Sequence, residues 1–449
     1  MKRNVMIVTR AAILLVAAPG VAQSLAPPRP AQVAPPVSER YVDPAGGLSL
    51  EQAIALALKQ EPSLRAARTD VEAAIARRQQ AALRANPTST FERRIEPGGT
   101  DHQTSVGVQL PLELFRRGAR IATAERDLAV SRHEIADRER QLAAVVRARY
   151  GDLLIAIRAL TVLDQLLAAT EQQLELVRAR AKEGAAPPLE RDLLDVEVRR
   201  LIADRSLETG RVEAALVHLK RIVGLAPTEP MAVRERLEAI VTRESASSAQ
   251  SAAETDAALL TRPDVVAAEA RIGAADARIR QSADEGRVDV SVFGTYMRMD
   301  AGFPQMGFAS GGGLERVRGR FNYVAGGAMI TLPLWNRNQG AVAAARAERA
   351  GAAAVRDAAV LQAQADLAAA RTENAGTHDA VAQYRDDVQP RARHNLAVVG
   401  ETFELGRATV FDVLAEQRRF LDGEKAFTEV LKAAFEARTR LQLALGDFR

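Results

Sequence analysis

Five histidines and no cysteine are the residues of this 449-residue chain from which a metal site or a nucleophile would be built. A helical metal-binding pair needs two histidines three or four residues apart, and here no two histidines lie within ten residues of each other. Gly311-Gly312-Gly313 is not followed by the Lys-Ser/Thr of a phosphate loop, and no G-x-S-x-G elbow is present. The sequence therefore predicts no catalytic residue, no metal site and no cofactor. The histidines are His102, His133, His218, His378 and His394.

Charge and composition exclude further classes of protein. Lys and Arg total 61 against 57 Asp and Glu, and the resulting formal charge of +4 is too small to imply a nucleic-acid partner. Without cysteine there is no disulfide scaffold, no thiolate metal site and no lipid-anchored N-terminal cysteine. An aromatic content of 4% beside 26% charged residues favours long helices over an ordinary mixed globule.

The N-terminus has the pattern of a targeting segment. A basic start precedes an apolar run at 11–18, and Gly20-Val21-Ala22 is a small-x-small cleavage site, so residues 1–22 are predicted to be a signal peptide. The apolar run is much shorter than the ~20 residues of a spanning helix. Residues 23–47 contain six prolines and are predicted to be an extended linker.

The rest of the chain repeats one unit. Leu-Pro-Leu at 110–112 recurs at 332–334, and Gly184 with Leu189 recurs as Gly406 with Phe411, each time 222 positions later. Glu61-Pro62-Ser63-Leu64 resembles Arg262-Pro263-Asp264-Val265 at a shorter offset of 201. A Gly-rich insertion at 301–319, between the two strands of the second copy, accounts for the difference, and its Gly311-Gly312-Gly313 is predicted to be a loop. Ordered matches at a constant long offset indicate an internal duplication.

Each copy is predicted to be a helix, two strands and two long helices, which makes a mainly α protein with a small β part. Ser49 caps a helix that is expected to run toward Ala85, and Pro390 is expected to kink its long helix. The predicted divisions are a first repeat at 48–225 with strands 88–96 and 104–112 and helices 118–183 and 189–222, an inter-repeat segment at 226–258, and a second repeat at 259–446 with strands 288–299 and 321–332 and helices 340–405 and 410–445.

The helix at 118–183 has two notable properties. At 1.5 Å per residue it would be roughly 100 Å long, far longer than a soluble domain is wide. It also carries a heptad series of the kind that packs helices into coiled coils, formed by Val146, Leu153, Leu160, Leu167 and Leu174.

Two interpretations of the strands stay open on composition alone. Their lengths of about 9 to 12 residues fit membrane-spanning β-strands. An open four-stranded sheet cannot face lipid, because its edges would leave backbone groups unpaired, so several chains would have to share one barrel. The alternative is a small soluble sheet at the end of a coiled-coil rod.

The duplicated plan resembles the TolC-type outer-membrane efflux factors over about residues 48 to 446. Three segments carry the resemblance. They are Leu48-Ser49-Leu50-Glu51-Gln52-Ala53-Ile54, Leu219-Lys220-Arg221-Ile222-Val223-Gly224-Leu225-Ala226-Pro227, and Gly406-Arg407-Ala408-Thr409-Val410-Phe411-Asp412-Val413-Leu414.

This resemblance implies a homotrimer in the outer membrane that extends into the periplasm. Its strands would form one shared transmembrane β-barrel, four per chain, continuous with a trimeric α-barrel of the long helices. Such a trimer is a passive exit duct. Its implied partners are a periplasmic adaptor, an inner-membrane resistance-nodulation-division pump and outer-membrane lipid, with no nucleic acid.

Within the family, the segment from Leu332 to Gly340, LPLWNRNQG, is most similar to the heavy-metal (cobalt–zinc–cadmium) branch. The segment from Leu112 to Arg120 points the same way, although the branch's usual Gly-Lys-Arg form is missing. Heavy-metal cations are therefore the expected cargo, and a multidrug or polypeptide-secretion duct is the alternative. A second alternative is a periplasmic coiled-coil adaptor or tether without a pore.

The resemblance also implies a periplasmic gate at two tip turns, 184–192 and 406–412. By motif match, Glu190 and Asp412 occupy inner acidic positions, and Arg407 lies one position before the family's tip arginine. In a trimer each carboxylate would form a ring that attracts cations. Gly184, Leu189, Gly406 and Phe411 would shape the turns and the adaptor-docking surface. Both acidic positions equally suit ordinary helix capping.

Overall fold

The computed structural model describes residues 36–99, 101–247 and 259–446. The predicted signal peptide, most of the linker and the last part of the inter-repeat segment lie outside these residues. The chain is mainly helical with one small sheet. Its elements are α1 (Leu50–Gln60), α2 (Pro62–Ala82), β1 (Thr88–Ile95), β2 (His102–Pro111), α3 (Arg116–Lys182), α4 (Pro188–Val223), α5 (Leu237–Ser247), α6 (Pro263–Glu285), β3 (Asp289–Phe308), β4 (Leu314–Thr331), α7 (Gln339–Gln383), α8 (Gln389–Glu404) and α9 (Val410–Leu445).

The first helix is broken where the sequence predicted one continuous helix toward Ala85. Ser49 caps α1 through a capping box with Gln52, but α1 ends at Gln60. Pro62 follows, and it disfavours a helical backbone at Glu61. Glu61 then starts α2, because its carboxylate accepts the Leu64 N–H at 2.7 Å. The prediction of a single helix is therefore wrong.

The four strands form one antiparallel sheet in the order β1-β2-β3-β4. Gly311-Gly312-Gly313, predicted to be a loop, lies in the β3–β4 turn at 309–313, where Gly312 has φ +85°. The predicted strand ends at 299 and 321 are wrong, because β3 runs to Phe308 and β4 begins at Leu314. A register shift between Gly302 and Met306 places two extra residues in β3. The insertion therefore lengthens a hairpin beyond the end of β1 and β2.

The long helix of the second repeat is interrupted. Residues Tyr384–Val388 form one π-helical turn between α7 and α8, and Pro390 is the second residue of α8. The proline ring would collide with the carbonyl group of Asp386 in a regular α-helix, and a wider turn relieves this collision. The structure thus places the predicted irregularity one turn before Pro390.

The helices form two layers that share α3 and α7. On the strand side the neighbours run α2-α3-α6-α7, and on the other side they run α4-α3-α9, with α9 packed against both α7 and α8. The heptad residues of α3 face the core: Val146, Leu153 and Leu160 lie in one apolar cluster and Leu167 and Leu174 in the next. The first cluster also contains residues of α1, of the inter-repeat segment and of α9, so it joins both repeats. Examples are Leu50, Val233 and Phe435.

Candidate functional site

Both predicted tip turns have the same geometry. Helix α3 ends before Gly184 (φ +75°) and α8 ends before Gly406 (φ +71°), 222 positions later. In each turn the next backbone N–H closes the helix end: Ala185 donates to the Arg180 carbonyl at 2.8 Å, and Arg407 donates to the Thr402 carbonyl at 2.9 Å. This is the Schellman cap, in which glycine takes the left-handed conformation without strain.

The two acidic residues start the helices that leave these turns. The Asp412 carboxylate accepts the Thr409 backbone N–H at 2.9 Å and its hydroxyl at 2.7 Å, while Thr409 accepts the Asp412 N–H at 3.3 Å. The Thr409 hydroxyl, then its N–H, holds the pKa of Asp412 below its ordinary value. Glu190 lies half-buried in the first turn of α4, where its N–H donates to the Pro187 carbonyl at 3.1 Å. Asp412 therefore caps α9 in the described chain, a role that the sequence also allowed.

Three other predicted tip residues are exposed. Leu189 is 61% exposed and the equivalent Phe411 is 62% exposed, although both lie beside a buried core. Arg407 is also exposed, and it makes no ion pair with any residue that the structure describes. The predicted turn and docking residues thus present apolar side chains and one unpaired cation at the same end of the helices.

A side chain that the sequence analysis missed connects the two tips. Arg180, in the last turn of α3, donates to the carbonyl of Phe403 at 3.2 Å and to the carbonyl of Glu404. Its guanidinium lies 5.8 Å from the centre of the Phe403 ring. Next to Arg180, one apolar cluster buries residues of both helical hairpins, α3–α4 and α8–α9. It includes Val177, Leu194 and Val410. The only local sequence signal for this contact was a basic residue near a helix C-terminus.

Two buried arginines of α3 hold the inter-repeat helix, and the sequence analysis missed these as well. Arg147 pairs with Glu244 of α5, and Arg158 pairs with Glu238 of the same helix. Each guanidinium also stacks on a phenylalanine of α9, at 4.7 Å for Arg147 and 4.9 Å for Arg158. The inter-repeat helix is therefore fixed to the contact between α3 and α9.

Strand register sorts the sheet into two faces, since directly paired residues lie on one side and alternate residues on the other. One row of paired residues, from β1 to β4, is Phe91, Val106, Tyr296 and Val324. The face that holds this row is here called the apolar face. The opposite face is polar on β1 and β2 and mixed on β3 and β4. The apolar face also holds Val108, Leu110, Val290, Val292 and Ile330, and the opposite face holds Thr88, Thr90, Glu92, Gln103, Ser105 and Gln109.

Burial along β2 shows how the sheet curves. On the apolar face Val106 and Val108 are exposed, whereas on the other face Ser105 and Gln109 are half-buried and Gly107 is buried. The apolar face is therefore the convex one. Apolar side chains on a convex, exposed surface need an apolar environment outside the chain.

The sheet and both helical layers end in free edges. Strands β1 and β4 are the outer strands, and β1 adjoins α2 in sequence as β4 adjoins α7. Helices α2 and α7 end one layer, and α4 and the α7–α8 pair end the other. The sheet and both helical layers therefore end in elements that have a neighbour on one side only among the described residues.

The described residues give little indication of a metal site or of a membrane-spanning helix. These residues contain no group of three or more His, Asp or Glu side chains that could hold a metal ion. Helix α3 includes a stretch apolar and long enough to cross a membrane, but 56% of that stretch is buried inside the chain, as expected of a core helix.

A family model matches most of the chain. The family model described as "Outer membrane efflux protein" matches residues 53–224 and 255–447. The chain therefore belongs to the outer membrane efflux protein family. No curated protein matches the sequence.

Solved structures share the fold at low sequence identity. CusC, whose structures concern transmembrane channel formation, has a TM-score of 0.69 at 17% identity, over 88% of this chain and 91% of its own. VceC of Vibrio cholerae has 0.65 at 20% identity, over 88% and 96%. The open state of the MtrE channel of Neisseria gonorrhoeae has 0.66 at 20% identity, over 88% of each chain.

Proposed function

We propose that this chain is the outer-membrane channel of a tripartite efflux system, a passive exit duct rather than an enzyme. It would receive its cargo from an inner-membrane resistance-nodulation-division pump through a periplasmic adaptor. The observation that carries the proposal is the sheet with a convex apolar face and two unpaired edges, continuous with helical layers that end on the same sides. Family membership supports the same function.

The sheet edges favour a closed ring of several copies. In lipid, the free N–H and C=O groups of β1 and β4 must be paired, and pairing β1 of one copy with β4 of the next achieves this. Three copies of the four-stranded sheet would give twelve strands, which lies within the range of outer-membrane barrels. Of the rings within this range we propose the homotrimer around a shared transmembrane β-barrel, because the resemblance to the TolC-type factors implies three copies.

The dimensions of the apolar face support a membrane span. From Val290 to Tyr296 the face extends about 20 Å along β3, at ~3.4 Å per residue. Leu332, Leu334 and the 88% exposed Trp335 continue it on the helical side. Together these residues approach the ~25 Å apolar band with flanking aromatic residues that outer-membrane barrels carry.

The helices supply the periplasmic part of the duct. Helix α3 has 67 residues and is therefore ~100 Å long. Helix α4 presents an exposed seam of seven-residue spacing toward its free side, and a second copy would cover it as in a coiled coil. The seam consists of Leu189, Val196, Ala203, Gly210 and Val217. The α-barrel would therefore close at the same interface as the β-barrel.

The tips are the proposed gate and adaptor-docking surface. Threefold repetition would place Glu190 and Asp412 in carboxylate rings, which attract cations, with the exposed Arg407 beside them. Leu189 and Phe411 beside the Gly184 and Gly406 turns offer apolar contacts to an adaptor. Their exposure in the isolated chain supports this role.

Heavy-metal cations are the proposed cargo. The support is the segment from Leu332 to Gly340, which resembles the heavy-metal branch. The alternative cargoes are drugs and polypeptides. A duct need not bind what it passes, so histidines that form no cluster are compatible with a metal cargo.

Reconstitution tests the channel directly. We expect the chain purified from outer membranes to have the mass of a trimer and to open discrete conductance steps in a planar lipid bilayer. Asp412→Lys should reduce the channel's cation selectivity, because it reverses the charge of the proposed ring. Asp422→Lys, farther along the exposed side of α9, should not. A soluble monomer without conductance would refute the duct and leave the adaptor or tether. Unchanged selectivity of Asp412→Lys would refute only the ring.

Growth of a deletion strain tests the cargo. Loss of the gene should sensitise cells to zinc, cobalt, cadmium or nickel, the gene should restore tolerance, and drug tolerance should not change. Measuring the inhibitory concentrations of these metals and of a drug panel decides between the two branches. Drug sensitivity with normal metal tolerance would keep the duct and assign it to multidrug efflux.

A further inference from the structure

The apolar face of the sheet becomes rich in arginine toward the β3–β4 turn. Beyond the row of Phe91, Val106, Tyr296 and Val324, the same face carries arginines at alternate strand positions. Exposed apolar residues accompany them on this face, namely Ile95, Met306, Phe308 and Leu314. We call these residues the arginine band, which consists of Arg93, Arg298, Arg316, Arg318 and Arg320. Along β4 the band extends from Arg320 to Arg316, about 14 Å at ~3.4 Å per residue.

Most of this charge is not neutralised within the described chain. Asp300 is the one carboxylate among the paired strand positions of this face, and it lies 2.9 Å from Arg320 and 3.6 Å from Arg298. Arg93, Arg316 and Arg318 are exposed and form no ion pair with any described residue. Three guanidinium groups per chain are therefore available to an external anion.

The band also borders a cleft. A cavity of about 450 Å³ lies at the level of the Asp300 row. Its lining includes His102, the unpaired Arg318 and the ion pair of Arg320 with Asp300. Glycines at 99, 302 and 319 line it as well. Because glycine has no side chain, the backbone at these positions is accessible to a ligand. Such a site has the size and the charge to accept a phosphate group with part of its carrier.

We propose that the arginine band binds the phosphate groups of outer-leaflet lipid headgroups. This inference rests on the proposed membrane span, because the apolar face must meet hydrocarbon for the band to lie at headgroup level. The helices join the strands at the opposite end, so the β3–β4 turn and the band lie on the outer side. One guanidinium group can bind two oxygens of a phosphate at once, which makes arginine the appropriate residue at this level.

The arginines lie mainly on one face of the sheet, which favours lipid binding over a general solvated surface charge. Arg93 and Arg94 are neighbours on β1, but Arg94 lies on the opposite face, where Glu92 binds it at 3.1 Å. A solvated charged surface would place arginines on both faces of this end. Here the side that continues the apolar face carries five arginines and one acid, which fits a lipid with phosphates above its acyl chains.

Lipid binding by matched variants tests the proposal. The purified trimer would be titrated with phosphorylated lipopolysaccharide, and bound lipid counted by native mass spectrometry. We expect Arg93→Gln/Arg316→Gln/Arg318→Gln to weaken binding at least tenfold, with trimer mass and conductance unchanged. These residues have no ion pair to lose, so folding should be preserved. Arg94→Gln is the matched control and should bind as the wild type does.

Two further probes identify the ligand. Enzymatically dephosphorylated lipopolysaccharide should bind the wild type as weakly as the intact lipid binds the triple variant. Inorganic phosphate should not raise the melting temperature of the wild type as the lipid does. Equal binding of intact lipid by the triple variant and the wild type would overturn the proposal, and so would equal stabilisation by inorganic phosphate. A chain that forms no conducting trimer would instead refute the proposed function.

Discussion

Arg158→Met is expected to lower the free energy of unfolding by about 3 to 5 kcal/mol, the usual cost of removing one partner from a buried ion pair. The Arg158 side chain is 6% exposed, and its Nη2 lies 2.7 Å from Oε2 of Glu424, whose side chain is 3% exposed. Methionine would fill much of the space but leave that carboxylate buried without its closest cation. The urea midpoint of the purified protein, followed by circular dichroism at 222 nm, measures the loss.

Two comparisons separate lost pairing from lost packing. Arg149→Met, on the exposed side of the same helix, should change stability by less than about 1 kcal/mol, since Arg149 only pairs with an exposed Asp152. Adding Glu424→Gln to Arg158→Met should recover part of the loss, because the buried charge is removed. If the double variant is no more stable than Arg158→Met, packing on Phe427 accounts for the effect and the ion pair does not.

Arg158 and Arg147 show which part of the fold the sequence could not predict. Their carboxylate partners on α5 lie 80 and 97 positions away, and Glu424 lies 266 positions from Arg158. A charged residue within a heptad pattern is ordinarily assigned to a solvated face. Only the packing of α3 against both α5 and α9 buries these guanidinium groups and brings acids to them.

Local patterns predicted more. The heptad series of α3 identified buried residues because its seven-residue spacing reports one side of a helix. The glycines of the tip turns marked the left-handed caps. The errors came from single residues and from pairing: Pro62 ended a helix that periodicity continued, and the glycines of 301–319 hid a hairpin whose strands pair despite them. Cross-strand pairing is not a local property, so composition alone misassigned this segment.

The candidate site also combines features that a local sequence pattern predicts with contacts that depend on the fold. The capping of α9 by Thr409 and Asp412 spans three residues and follows from a short pattern. The contact from Arg180 to the Phe403 carbonyl spans 223 positions and depends on how the two hairpins pack. The sequence therefore located the two helix ends at Gly184 and Gly406, whereas the contact between them became visible only in the folded chain.

Gly151→Ala is expected to destabilise the protein, although alanine is the better helix former. A Cβ atom at this buried position of α3 would lie 2.3 Å from Cε1 of Phe435, far inside van der Waals contact. Helix propensity favours alanine by up to ~1 kcal/mol, but overpacking a tight core costs ~1 to 3 kcal/mol and should prevail. Urea unfolding of the purified variant measures the net change.

The control and the rescue use the same measurement. Gly376→Ala, in an exposed helical position with open space around it, should be neutral or stabilising by up to ~1 kcal/mol. Phe435→Leu alone should destabilise, because it leaves a cavity in the cluster that joins both repeats. Combined with Gly151→Ala it should cost less than the two single changes added together, since the alanine methyl group then has room. Additive losses would mean that α3 and α9 do not approach closely at this point. In that case Gly151 would not be needed for close packing, and it would only make α3 more flexible and less stable than alanine would.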